Sequence, residues 1–197
     1  MCRTEAAARP LEWAIKDSLI RYVREMSDGS VRVAGSATET PAGFVFAPDP
    51  TPGPESAPDP AQQPAGPPAS APAPVRAPQP APAPASAPAP APAPAPRRFA
   101  GTVTLTGHGG LLRIEISDPW LEPVAAADGP WRLTIRDPFE PGARMEFASI
   151  ERVEFGAGGS LACVDTRLTA DGSDLFFAGP YTPGTELDNP TVPEDRP

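Results

Sequence analysis

Two periods of apolar residues run along this chain, and the change from one to the other divides it. Between Leu11 and Met26 the apolar positions Leu11, Ile15, Leu19, Tyr22, Val23 and Met26 fall three or four apart, the stripe of an amphipathic helix. Arg9, Glu12, Lys16 and Asp17 fall mostly off that stripe. Pro10 suits the first helical turn, and Asp28-Gly29 supplies the stop, with Gly29 just past the helix end. Short strands are expected at 31–33 and 43–46. Beyond residue 98 the period becomes two. Phe99, Gly101, Val103 and Leu105 alternate with Ala100, Thr102, Thr104 and Thr106; Leu112, Ile114 and Ile116 alternate with Leu111, Arg113 and Glu115; Trp131, Leu133 and Ile135 alternate with Arg132, Thr134 and Arg136. Further strands fit 144–147, 151–155, 161–168 and 174–178. Such segments, punctuated by Gly, Pro and Asp, predict a mainly β fold: an antiparallel β-sandwich or barrel-like domain with an N-terminal α-helix packed on it.

Proline interrupts this pattern. The chain has 197 residues and 32 prolines, 20 of them between Pro48 and Pro96 beside 15 alanines and no aromatic residue. The stretch reads as an extended, polyproline II-like, disordered segment with little to bury. It is either an interdomain linker or an insertion within one domain. The block before it is too small to fold alone, and lengthening a loop adds little closure entropy. The expectation is therefore one domain over 11–192, interrupted by a Pro/Ala-rich insertion at 48–96, with flexible tails at 1–9 and 193–197.

Composition removes several functions. No apolar run is long enough for a membrane-spanning helix. The net charge of −9 argues against a nucleic-acid groove. The opening residues lack the apolar stretch of a signal peptide, so the expected compartment is the cytoplasm, or the envelope or exterior if the true start lies upstream. Cys2 and Cys163 are too few for a disulfide scaffold or a four-cysteine zinc site.

The inventory for chemistry is short: one histidine, His108, and two tyrosines, Tyr22 and Tyr181. No nucleophile–base pair can be argued around a single histidine, and Gly156-Ala157-Gly158-Gly159 precedes a strand, as a hairpin turn does. The expectation is a protein that is not an enzyme. Each of the three residues has a plain reading. His108, within Thr106-Gly107-His108-Gly109-Gly110, could idle in a hairpin turn, or be aimed by its glycines at a bulky flat ligand. Tyr22, four residues after Ser18, could be a core tyrosine, and Tyr181 a structural corner.

Taken together, the surrounding segments resemble a known family. Leu11-Glu12-Trp13-Ala14-Ile15-Lys16-Asp17-Ser18-Leu19-Ile20-Arg21-Tyr22-Val23 is similar to the start of the HtaA domain, a haem-binding module of actinobacterial haem-uptake proteins. Residues 101–112 with Ser117-Asp118-Pro119 resemble a second signature. Residues 168–172 and 176–184, ending in Asp188-Asn189-Pro190, resemble a third and fourth, in the right order. The resemblance implies non-covalent binding of ferric haem b, with Tyr22 as axial ligand to the iron and His108 hydrogen-bonded to it. Tyr181 would line the pocket; Ser18 and Phe177 are further candidate contacts, as are Trp13, Phe44, Phe46 and Phe176. The implied role is haem uptake, transfer or storage, with other haem-uptake or haem-accepting proteins as partners. The alternative is a degenerate copy serving as an adhesion or scaffold module. No arginine can be assigned to the propionates from sequence.

Overall fold

The computed structural model describes residues 9–49, 94–124, 129–176 and 179–194. Most of the Pro/Ala-rich tract, both ends of the chain and Phe177 lie outside them. The described elements are β1 (Leu11–Trp13), α1 (Asp17–Glu25), β2 (Ser30–Ala34), β3 (Ala37–Thr40), β4 (Gly43–Pro48), β5 (Arg97–Ala100), β6 (Thr102–Gly107), β7 (Leu112–Ser117), β8 (Trp120–Pro123), β9 (Trp131–Arg136), β10 (Arg144–Phe155), β11 (Leu161–Leu168), α2 (Ala170–Asp174) and β12 (Thr191–Val192).

Eight strands close a barrel in the order β1-β12-β11-β10-β9-β8-β5-β4, and β4 pairs back onto β1. Every pairing is antiparallel. Along β4, Ala47 N–H donates to Ser36 and Asp49 N–H to Arg98. Amides two apart on a strand point the same way. β3 and β5 therefore occupy successive lengths of one edge of β4 and leave the other edge to β1. β2, β6 and β7 form a separate three-stranded sheet. The interior holds Trp13, Phe44, Phe46, Phe99, Trp131 and Phe147, all essentially without solvent contact. Among the described residues no helix is long and apolar enough to cross a membrane.

The opening segment departs from expectation. Leu11–Trp13 is a strand, and the helix starts only at Asp17. Leu11, Trp13 and Ile15 satisfy period two as well as helical spacing, and the barrel seam took the former. Ile15 then turns through φ +62°, which a helix cannot follow. Lys16 offers no capping side chain; Asp188 supplies one from far along the chain, its carboxylate accepting the Asp17 N–H at 2.6 Å. The helix ends at Glu25, with Met26 as its C-cap, so Gly29 is not its terminator. A Cβ on Gly29 would fall 1.7 Å from the Val23 carbonyl oxygen, so that glycine permits a close approach instead.

Three strand expectations also change. The run from Phe99 to Leu105 breaks at Gly101 (φ +125°), where a Cβ would sit 2.4 Å from the Ala37 nitrogen. Asp118 fixes this break: its carboxylate accepts the Gly101 N–H at 2.9 Å and its own N–H donates to the Gly101 carbonyl at 2.8 Å. β5 stays in the barrel and β6 leaves for the small sheet. Residues 144–147 and 151–155 belong to one strand, β10, whose register shifts between Glu146 and Ala148. The shift changes which parity faces inward, so Met145 and Phe147 are buried before it and Ala148 and Ile150 after it. The strand expected at 174–178 does not begin: Asp174 closes α2, whose first turn is capped by the Thr169 hydroxyl accepting the Gly172 N–H at 3.0 Å, Leu175 and Phe176 follow in a turn, and 177–178 lie outside the described residues. β3, β8 and β12 carry too few residues to show a period.

Candidate functional site

Helix α1 lies where the barrel and the small sheet meet, and Asp188 pins its start. The Asp188 carbonyl accepts the Trp13 indole N–H at 2.7 Å, its N–H donates to Ile15 at 3.0 Å, and its carboxylate caps Asp17. Asn189 accepts the Thr166 N–H at 3.1 Å. The Asp188-Asn189 pair therefore sets the helix rather than touching the cleft. Leu19, Ile20 and Val23 turn inward. Ser18 and Tyr22 sit one turn apart on another face. Tyr22 is 48% exposed, which overturns the core-tyrosine reading.

Facing Tyr22 is the tip of the β6–β7 hairpin. His108, Gly109 and Gly110 follow one another at φ +54°, +64° and +92°. Left-handed backbone suits glycine and tolerates histidine. This tight left-handed turn carries the imidazole back over the helix, and His108 Nε2 lies 2.8 Å from the Tyr22 hydroxyl, the ring centroids 5.9 Å apart. The tip is tied down by a residue that sequence reasoning assigned only to a helix stop. The Asp28 carboxylate accepts the Gly109 N–H at 2.5 Å. That bond is the main reason the carboxyl is held below its usual range; desolvation opposes it, and the Asp28 and His108 amides and the His108 charge add to it. Below the tip, Gly107 lies against the end of the Met26 side chain, which a Cβ there would have to displace.

The third wall is the segment after α2. Phe176 stacks at 4.8 Å from Tyr181, at 6.4 Å from Phe147, and Phe147 meets Trp13 edge-on at 5.9 Å. A row of rings thus runs from the barrel core to the cleft wall. Burial raises the Tyr181 pKa; a hydrogen bond with the Ser18 side chain pulls it down, and a charge on Tyr22 pushes it up again. Tyr181 is held as a neutral phenol.

These walls enclose a cleft of about 800 Å³, lined by Leu19, Tyr22, His108, Leu111, Leu112, Arg113, Phe176, Pro180 and Tyr181 with two glycines. It lies at the upper end of the volumes that small ligands and cofactors occupy. Its lining is mostly apolar, and Leu111 at the hairpin tip is 85% exposed. Tyr22, His108 and Tyr181 meet here. Ser18 reaches the group through Tyr181, and Phe177 lies outside the described residues. Trp13, Phe44 and Phe46, offered as possible ligand contacts, do not line the cleft: the alternation that made them conspicuous buries them in the barrel. Phe176 alone of the described aromatic candidates reaches it.

No family model matches the sequence, and no curated protein matches it at the level of sequence. Solved structures do match. The C-terminal domain of HtaA from Corynebacterium glutamicum is similar with a TM-score of 0.55 at 19% identity, over 92% of each chain. The N-terminal domain of the same protein gives 0.54 at 15%, over 95% of this chain and 97% of that one. The heme binding protein HtaB from the same organism gives 0.54 at 15%, over 93% and 90%. The chain folds as an HtaA-like domain.

Proposed function

We propose that this protein binds ferric haem b non-covalently, with the Tyr22 phenolate as axial ligand to the iron, and serves haem uptake, transfer or storage. The observation that carries the reading is the 2.8 Å contact between the Tyr22 hydroxyl and His108 Nε2 at the edge of an apolar cleft large enough for a porphyrin. The donor set fits: a phenolate oxygen is a hard anionic ligand that favours Fe(III). The fold of a heme binding protein supports the same ligand.

Each residue then has a task. Tyr22 must lose its proton to ligate. The acceptor is His108 Nε2, and the resulting imidazolium N–H donates back to the phenolate and stabilises it. His108 is placed for this by its left-handed turn, and Asp28 holds the turn. Leu19, Leu111, Leu112 and Phe176 offer apolar surface to a flat macrocycle. Tyr181, kept neutral, presents a hydroxyl without adding a second phenolate beside the first. A single oxygen ligand on a half-exposed tyrosine suits a protein that must give up its cargo. Bound haem would supply the iron that this oxygen coordinates.

A hemin titration tests the reading. Wild-type protein is expected to give a shifted Soret band and charge-transfer bands of a ferric phenolate. Tyr22→Phe should remove those bands, and His108→Ala should weaken binding without abolishing it. If wild-type protein leaves hemin with the spectrum it has free in buffer, the reading fails and the scaffold role takes its place.

A further inference from the structure

The small sheet ends on an open strand. Among the described residues β7 pairs with β6 alone. Its register runs from Leu112 to Ser117 without a shift, and no proline interrupts it. Just beyond it the Asp118 N–H donates to the Gly101 carbonyl at 2.8 Å, on the β6 side. Backbone groups two apart on a strand point the same way. The N–H and C=O groups of Leu112, Ile114 and Ile116 therefore serve β6, and those of Arg113 and Glu115 point to the free edge. Ile114 and Ile116 are buried on the inner face. Arg113 and Glu115 stand on the other face, 3.3 Å apart, with side chains 68% and 33% exposed. An ion pair this open to water holds its partners weakly. Natural edges are guarded against pairing by like charges, a proline or a bulge. This edge has none of these; it carries one charge of each sign, and read backwards the two complement each other.

We infer that β7 pairs antiparallel with β7 of a second copy of this chain, about a two-fold axis at Ile114. Arg113 then lies opposite the partner's Glu115, and Glu115 opposite the partner's Arg113. Both residues have their backbone groups on the free edge, so each such pair closes two ladder bonds. Opposite charges facing each other across the seam add to them. Moving the register by two residues sets arginine against arginine or glutamate against glutamate, and like charges directly opposed are destabilising. Moving it by one opposes residues of different faces and leaves the free N–H groups out of step. Charge and pleat together favour this register over its neighbours. Leu111, 85% exposed, stands beside the seam at each end. Pairing uses up the open edge of β7 in both copies, so assembly through it stops at two. A strand pair this short is a small interface, and each copy carries a net charge of −9, so the dimer should dissociate at micromolar concentrations. It needs no ligand and does not rest on the haem reading.

Sedimentation velocity of the full chain without ligand, across the micromolar range, measures the association. Wild-type protein is expected to pass from monomer to dimer as concentration rises. Glu115→Arg opposes arginines across the seam, and Arg113→Glu opposes glutamates. Each alone should raise the dissociation constant roughly tenfold or more. Mixing the two variants should restore association at wild-type strength, because each supplies the charge that the other lacks. The double variant Arg113→Glu/Glu115→Arg should dimerise as wild type does. Circular dichroism and melting of each variant separate a lost contact from a lost fold, and rescue in the mixture requires both to be folded. Wild-type protein that stays monomeric over the whole range overturns the inference. A mixture no more associated than its separate components does the same. So does a dimer that Glu115→Arg leaves intact, since its contact would then lie elsewhere.

Discussion

The barrel interior and the cleft are built from the same residue types and put them to opposite uses. In the barrel, Trp13, Phe44, Phe46 and Phe147 are fully enclosed, and the Trp13 and Phe147 rings meet edge-on. In the cleft, Tyr22 is about half exposed and Leu111 mostly so, and the two chain tyrosines face the single histidine and a serine. The barrel's contacts are closed by strand pairing around a complete ring. The cleft's contacts are made by three segments, held by the Asp188 bonds at the start of α1, by the Asp28 bond at the hairpin tip and by ring contacts at Phe176. Stability and function have therefore been separated in space. An aromatic residue near the site in sequence can belong wholly to the core, as Trp13 does only nine positions before Tyr22.

Breaking the core side should give the largest effect. Trp13→Ala removes a buried indole and leaves the Asp188 carbonyl without its donor. A cost of about 3–5 kcal/mol is expected from the cavity, read as a fall in melting temperature of roughly 10 °C. Because Asp188 also caps α1, hemin affinity should fall with it. Tyr22→Phe, by contrast, should melt close to wild type while losing the phenolate spectrum. Chemical denaturation of both variants checks the contrast. A Trp13→Ala protein as stable as wild type, or a Tyr22→Phe protein that unfolds, would erase the distinction between the two regions.

The separation also explains what could be read from the sequence. Period two survives wherever one face of a long strand is buried, so β6, β7, β9 and β11 were legible from Val103, Ile114, Leu133 and Leu161. Leu11–Trp13 fits both periods; only closure of the barrel by β4 decides it for a strand. The bulge in β10 reverses the parity between Phe147 and Ala148, which no fixed period can follow. At the site, residue rarity made Tyr22, His108 and Tyr181 visible. Their contact was not readable from composition, because it depends on three left-handed residues in a row and on Asp28, an aspartate among many. Its signal was weak: an Asp-Gly after a helix and a glycine-rich hairpin tip 80 residues on.

A smaller effect sharpens the cleft side. Asp28→Ala removes the acceptor of the Gly109 N–H but no core contact, so global stability should stay near wild type. The hairpin tip should loosen instead. With one histidine in the chain, its imidazole proton signals in the ligand-free protein are unambiguous by NMR. Through-space contacts between the His108 and Tyr22 rings should weaken in Asp28→Ala, and hemin affinity should drop several-fold, less than in His108→Ala. Contacts of wild-type strength in the variant would show that the turn holds itself and that Asp28 is incidental.

The smallest expected effect lies at Tyr181, where core and cleft join. Burial raises its pKa above the ordinary tyrosine value, with the Ser18 bond opposing and Tyr22 adding. The folded state therefore holds this proton more tightly than the unfolded chain does. The sign follows from linkage: the contribution is fully present below about pH 10, where the unfolded tyrosine is still protonated. It is lost as pH rises through the raised folded value. Tyr181→Phe has no proton to lose, so its stability should decline less steeply above pH 10 than that of wild type. Denaturant titrations at pH 8 and at pH 10.5 or so measure the difference. Equal slopes would mean that the Tyr181 hydroxyl is as wet as any surface phenol, and that the row of rings from Trp13 through Phe147 and Phe176 stops short of the cleft it was taken to support.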